Sequence, residues 1–166
     1  WCYSCGHLNN PGLTLRESAV DIRTWFWLQE KWDIRRVLLW HASVYGRTFV
    51  KPGADGRGDG QVFYFRRRAA GPDEIIPSIR VEMLRDGVED RDYLFRLKQL
   101  VARSARRVGQ GLSAKTHAEA KALTRVPDAL VSSQYDMSGD VDLLLERRRR
   151  IADAIEALIA VSPVGK

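Results

Sequence analysis

Pro77-Ser78-Ile79-Arg80-Val81-Glu82-Met83-Leu84-Arg85-Asp86-Gly87-Val88-Glu89-Asp90-Arg91-Asp92-Tyr93-Leu94 opens a long periodic stretch. Ile76, Ile79, Met83, Gly87, Asp90, Leu94, Leu97 and Val101 recur at steps of three and four. That is the spacing of one face of an α-helix. It predicts a helix from Pro77 or Ser78 to about Val108, with Ser78 as N-cap or Pro77 in the entering loop. Gly109 and Gly111 close it. Two residues on the predicted inner face are not apolar. Gly87 costs about 1 kcal/mol against alanine inside a helix, so its position predicts close backbone packing. Asp90 predicts a partner, an arginine or a backbone N–H, because a lone buried carboxylate is prohibitive.

N-terminal to this helix, Leu15, Ala19, Ile22 and Phe26 give the same spacing and predict a helix from about Thr14 to Trp32, broken at Asp33. Val37 to Ala42 is a short apolar run without alternation, which suits a strand buried on both faces of a parallel sheet. Residues 43–60 hold six glycines and prolines and read as a loop. Gln61 to Phe65 reads as a second strand, and Gly71, Pro72 and Pro77 as the following turn.

On the C-terminal side, a short helix is expected over 113–124, opening at Ser113 or Thr116. An irregular stretch over 125–139 follows, and then a final amphipathic helix from Asp140 to about Val161. In that last helix Glu146 and Arg150 form an i,i+4 pair, and Arg147 to Arg150 reads as a solvated face. Helix, strand, loop, strand and helices in this order point to an α/β fold. Two buried-type strands do not make a free-standing sheet, so further strands are expected elsewhere.

Composition narrows the class. The chain has 166 residues, of which 45% are hydrophobic and 5 are Trp; a disordered chain lacks such content. No run reaches the ~18–20 apolar residues of a membrane-spanning helix. Two cysteines cannot staple a chain of this length. Cys2, Cys5 and His7 are zinc-ligand types, but a closed site needs a fourth ligand, which His41 supplies only if folded close; no metal and no cofactor is assigned. The start at Trp1 reads as the cut end of a strand, so a C-terminal fragment of a larger protein is expected, with any targeting signal upstream.

Net charge is 27 − 21 = +6. The cations are interleaved with acids except at Arg66 to Arg68, Arg103 to Arg107 and Arg147 to Arg150. A nucleic-acid groove wants aromatics among its bases, and residues 103–166 contain only Tyr135. Nucleic acid is therefore not the expected partner.

Trp1-Cys2-Tyr3-Ser4-Cys5, Val37-Leu38-Leu39-Trp40, Gly58-Asp59-Gly60-Gln61-Val62-Phe63-Tyr64 and the block from Pro77 to Leu94 occur in this order. The succession resembles the C-terminal part of the glycoside hydrolase family 123 catalytic domain, also described as domain of unknown function 4091. The resemblance covers roughly residues 1–102. It implies the C-terminal third of a (β/α)8 TIM-type barrel over 1–108, followed by a helical extension over 109–166. Strand six would end at Trp1 to Cys5, with helix six over Leu15 to Trp32. Strand seven would run from Val37 to Ala42, strand eight from Gln61 to Phe65 and helix eight from Ser78 to Val108.

The activity implied is hydrolysis of terminal N-acetylhexosaminides, with the substrate's acetamido oxygen as nucleophile. The assisting Asp-Glu pair would lie on an earlier strand upstream of Trp1, so no catalytic residue is assigned here. Barrel chemistry gathers at the C-terminal ends of strands, which selects Tyr3, Trp40, His41 and Tyr64 as substrate contacts. Trp40 is either a stacking floor for a sugar ring or a core residue between strand and helix. Tyr3 and Tyr64 either bond substrate hydroxyls or satisfy backbone groups. His41 is a polar contact or a structural histidine. Asp59, between Gly58 and Gly60, reads as the cap of a tight turn. Two other readings of the chain are a non-catalytic carbohydrate-binding relative and a basic helical module for nucleic acid.

Overall fold

A computed structural model describes residues 2–4, 18–38, 42, 62–66 and 69–161. The elements run β1 (Cys2–Ser4), α1 (Ala19–Lys31), β2 (Arg36–Leu38), β3 (Phe63–Arg66), β4 (Glu74–Pro77), α2 (Ile79–Ser104), a 3-10 turn (Ala105–Arg107), α3 (Ala114–Leu123), β5 (Val131–Ser133), β6 (Asp136–Met137) and α4 (Val141–Ala160). This is a mixed helix and sheet architecture with three two-stranded sheets among the described residues.

The long helices start and stop for local reasons. Ser78 lies in extended backbone, and its hydroxyl accepts from the Arg80 N–H at 3.2 Å. Ser113 does the same for Thr116 at 3.0 Å, and Asp140 for Leu143 at 3.0 Å. Each cap satisfies an N–H that the first helical turn leaves unpaired. After α1 the chain turns sharply at Asp33, whose φ of 51° lies in the left-handed region that Asp tolerates better than most side chains. After α2, Gly109 and Gly111 take φ of 81° and 94°, conformations that a Cβ makes costly.

The core is one continuous cluster. Trp25, Trp27 and Leu28 of α1, Leu94, Leu97 and Val101 of α2, Leu123 of α3, Leu130 and Val131 before and in β5, and Leu144, Ile151 and Leu158 of α4 are all buried in it. Residues 109–161 thus share a core with α1 and α2. Gly87 packs where the spacing placed it: a Cβ there would overlap the Phe26 ring of α1.

Four expectations are corrected. The α1 helix does not bury one face; Val20, Ile22, Trp25, Trp27, Leu28 and Gln29 are all buried, because α2 packs on one side and β5 on another. The stretch before Pro77 is not only a turn, since Glu74–Pro77 pairs antiparallel with Phe63–Arg66. Residues 125–139 contain the antiparallel β5–β6 hairpin. Glu146 pairs with Arg149, one turn back, rather than with Arg150. The expected loop over 43–60, including Asp59, lies outside the described residues, as do Trp1, Cys5 and His7.

Candidate functional site

The strand segments that carry the sequence-selected residues are joined through their backbones. β1 and β2 run parallel, with Tyr3 in register with Val37. The Ala42 carbonyl accepts from the N–H groups of Val62 at 2.9 Å and Phe63 at 3.1 Å, which ties the chain after β2 to the start of β3. Tyr64, the next residue, lies opposite Ile76 in the β3–β4 pair and is half-buried. Trp40 and His41 lie outside the described residues. The described backbone therefore links the segments bearing Tyr3 and Tyr64 to the two ends of the segment that carries Trp40 and His41.

Elsewhere a cleft of about 590 Å3 opens between the end of α1 and the β5–β6 hairpin, lined by Trp32, Ile34, Ser133, Gln134 and Tyr135. Trp32 is 41% and Tyr135 60% exposed. Lys31 fixes this edge. Its ammonium bonds Asp128 and the Val131 carbonyl, and it lies 5.4 Å from the Trp32 ring centroid. Its described lining residues carry two aromatic rings, an aliphatic side chain, two hydroxyls and an amide. Nothing in the sequence spacing joins Trp32 to Tyr135; only the docking of the hairpin on α1 does.

A buried polar cluster lies between α1, α2 and α4. Asp90 is 1% exposed. Arg23 donates to it from Nε at 2.7 Å and from Nη2 at 2.8 Å, and Trp27 donates from Nε1 at 3.0 Å. The Arg148 Nε stands 3.4 Å from the other carboxylate oxygen. The partner expected for Asp90 is thus Arg23, and Trp27 and Arg148 complete the set. Arg148 also bonds Glu89 at 2.9 Å and lies over the Tyr93 ring. Burial pulls the Arg148 guanidinium down, while Glu89 and Asp90 outweigh it and leave the group raised. Every lone pair of Asp90 that the structure uses faces a fixed donor of the same fold, so this cluster holds helices together and offers no free base.

Arg147 and Arg148 correct the expectation of a solvated arginine face. Arg147 turns inward and donates to the carbonyls of Ala122, Leu123 and Arg125, at and just after the end of α3. The last carbonyls of a helix lack their i+4 partners, although the Ala122 carbonyl also accepts from the Arg125 N–H. Burial, with Arg150 beside it, lowers the Arg147 guanidinium from its ordinary value. Arg149 and Arg150 are the exposed pair.

Among the described residues no group of three or more His, Cys, Asp or Glu side chains is placed to hold a metal ion, and no helix is long and apolar enough to cross a membrane. A scan against protein-family models found no match, and a search among curated proteins found none.

Proposed function

We propose that this chain forms the C-terminal part of a (β/α)8 glycoside hydrolase related to family 123, acting on terminal N-acetylhexosaminides with retention of configuration. The observation that carries the proposal is the β1–α1–β2 unit. Two parallel strands joined through a helix are the repeating unit of such barrels, and this one occurs where the resemblance puts strand six, helix six and strand seven. The antiparallel β3–β4 pair is an addition to that plan at strand eight.

On this reading Tyr3, Trp40, His41 and Tyr64 line the sugar pocket at the strand ends. Trp40 offers its ring to the apolar face of the pyranose, and the two tyrosines bond hydroxyl or acetamido groups. The carboxylates that orient the acetamido group and protonate the leaving oxygen belong to an earlier strand of the barrel. The acetamido oxygen attacks the anomeric carbon, the leaving oxygen takes a proton, and water then opens the oxazolinium ring.

The test is hydrolysis of aryl N-acetyl-β-galactosaminide by the parent protein that includes the earlier barrel strands, with the anomer of the first-formed product read by NMR; residues 1–166 alone are expected to give no turnover. Turnover with the β-anomer first is expected. Trp40→Ala is expected to lower kcat/KM by about 100-fold, which corresponds to ~2.7 kcal/mol of lost transition-state binding. Inversion at the anomeric carbon, or no turnover of any N-acetylhexosaminide by the parent protein, would sink the proposal.

A further inference from the structure

The charge of this protein is concentrated in one place. Residues 96–125 contain eight Lys and Arg (Arg96, Lys98, Arg103, Arg106, Arg107, Lys115, Lys121, Arg125) and one acid, Glu119. Their net charge is 8 − 1 = +7, whereas the rest of the chain carries 19 cations and 20 acids, a net of −1. These thirty residues therefore account for all of the excess.

Outside the segment several arginines are matched, Arg23 with Asp86 and Asp90, Arg85 with Glu82, Arg91 with Glu30 and Arg148 with Glu89, while the exposed Arg36 and Arg150 have no carboxylate within 4.0 Å among the described residues. Inside it, Lys98 reaches Glu30, and Lys115 stands at 4.0 Å from Glu119. Arg96, Arg103, Arg106, Arg107, Lys121 and Arg125 have no carboxylate within 4.0 Å among the described residues. All of them are exposed except Arg107, which is half-buried.

Arg96, Arg103 and Arg107 follow one another at steps of seven and four and so align along α2 and its 3-10 turn. They span about 16 Å at 1.5 Å per residue. The α3 helix, with Lys121 and then Arg125, is docked on the same end of α2, where His117 Nε2 lies 3.1 Å from the Val101 carbonyl. Arg103 faces like charges three and four residues on, an arrangement that weakens a helix. Six unneutralised cations in thirty residues that hold a single acid raise the local potential, which an external polyanion would lower.

We infer that this end of α2 and α3 is a docking surface for an acidic polysaccharide, one whose sulfate or carboxylate groups accept from the arginine forks. The choice of polysaccharide rests on the hydrolase reading, and it narrows that reading to anionic polymers that contain N-acetylhexosamine. Two features favour it over nucleic acid. No Phe, Trp or Tyr lies between residues 96 and 125, so bases have nothing to stack on. The α3 helix is short and lies packed against α2 and α4 rather than projecting toward a groove.

The experiment measures binding of the full-length chain to fluorescent chondroitin sulfate, with neutral dextran and a duplex DNA as comparison probes. Affinity for chondroitin sulfate is expected to fall about tenfold or more between ~50 and ~200 mM salt, with no binding to dextran. Arg103→Glu with Arg106→Glu, and Lys121→Glu with Arg125→Glu, are each expected to weaken binding about tenfold. The exposed control Arg35→Glu is expected to leave it within about twofold. Circular dichroism shows that each variant is folded.

Salt-dependent binding lost in both double variants supports the proposal, even where the parent protein with its earlier strands hydrolyses nothing; the hydrolase reading then fails by itself. Turnover of a neutral N-acetylgalactosaminide without chondroitin sulfate binding overturns the docking surface and leaves the hydrolase reading standing. Tighter binding of the DNA duplex than of chondroitin sulfate overturns the polysaccharide assignment.

Discussion

The middle of α2 and its C-terminal end with the following 3-10 turn treat charge in opposite ways. Toward the N-terminal half of α2, Asp90 collects Arg23, Trp27 and Arg148 from two other helices, and Glu89 shares Arg148. A few turns on, Arg103, Arg106 and Arg107 meet no carboxylate among the described residues. The first arrangement fixes helix to helix, because a buried carboxylate is tolerable only where donors are already in position. The second adds nothing to the fold and raises the local potential instead. The contrast separates charges that build this protein from charges left unneutralised on its surface.

The largest expected effect is on the buried side. Asp90→Ala leaves Arg23 buried without its carboxylate, and the expected loss is about 3–5 kcal/mol in urea or thermal unfolding. A loss below about 1 kcal/mol would show that Arg23 finds water or Asp86 instead, and would erase the distinction drawn between the two stretches.

Gly87→Ala comes next. It gains helix propensity but drives a methyl into the Phe26 ring, and overpacking of this kind costs about 1–3 kcal/mol. Because Gly87 lies one turn before Asp90, the change also separates α1 from α2 where Arg23 reaches across. Adding Phe26→Leu is expected to recover part of the loss, which a thermodynamic cycle measures.

Neutralising the other stretch, with Arg103→Ala and Arg106→Ala together, is expected to change stability by no more than about 0.5 kcal/mol, since both side chains are exposed. A larger destabilisation would place these arginines among the structural ones.

The smallest effect is at Asp21, in the first turn of α1. Burial raises its carboxyl above the ordinary value, and a hydrogen bond from the Ser18 backbone works against that. A folded pKa above the unfolded one means that the folded chain holds the proton more tightly. Ionisation of this group therefore disfavours folding at neutral pH, and the penalty disappears as pH falls below the unfolded pKa. Asp21→Asn is expected to raise Tm slightly at about pH 7 and to leave it unchanged at about pH 3. Lowering of Tm at neutral pH would mean that the favourable charge at the helix N-terminus outweighs burial.

Much of the helical part was legible because its signals are short-range. Ser78, Ser113 and Asp140 cap the N–H of a residue two or three positions on, so each cap is written in adjacent sequence. The candidate site was legible only in part. Tyr64 occupies a strand, but near the start of Phe63–Arg66 rather than at its end, and Tyr3 pairs through β1; their relation to the segment of Trp40 and His41 comes from hydrogen bonds between distant stretches. The cleft of Trp32 and Tyr135 was not legible, since it exists only where a hairpin rests on the end of α1. Strand β4 and the β5–β6 hairpin were read as a turn and irregular chain because strands of two to four residues carry too little periodicity to register.

By itself the sequence determined that α4 begins at Asp140, narrowed the starts of α2 and α3 to two residues each, and determined that Asp33 stops α1, that Gly87 lies at a close approach and that Asp90 needs a cationic or N–H partner. These follow from local sterics, helical period and the cost of burying a charge, none of which depends on the rest of the fold. Only the tertiary structure decided that the partner is Arg23, 67 residues away, that α1 is buried on nearly every side, and which arginines are neutralised. Those outcomes depend on which surfaces meet, and meeting is set by the packing of α1, α2 and α4 around one core.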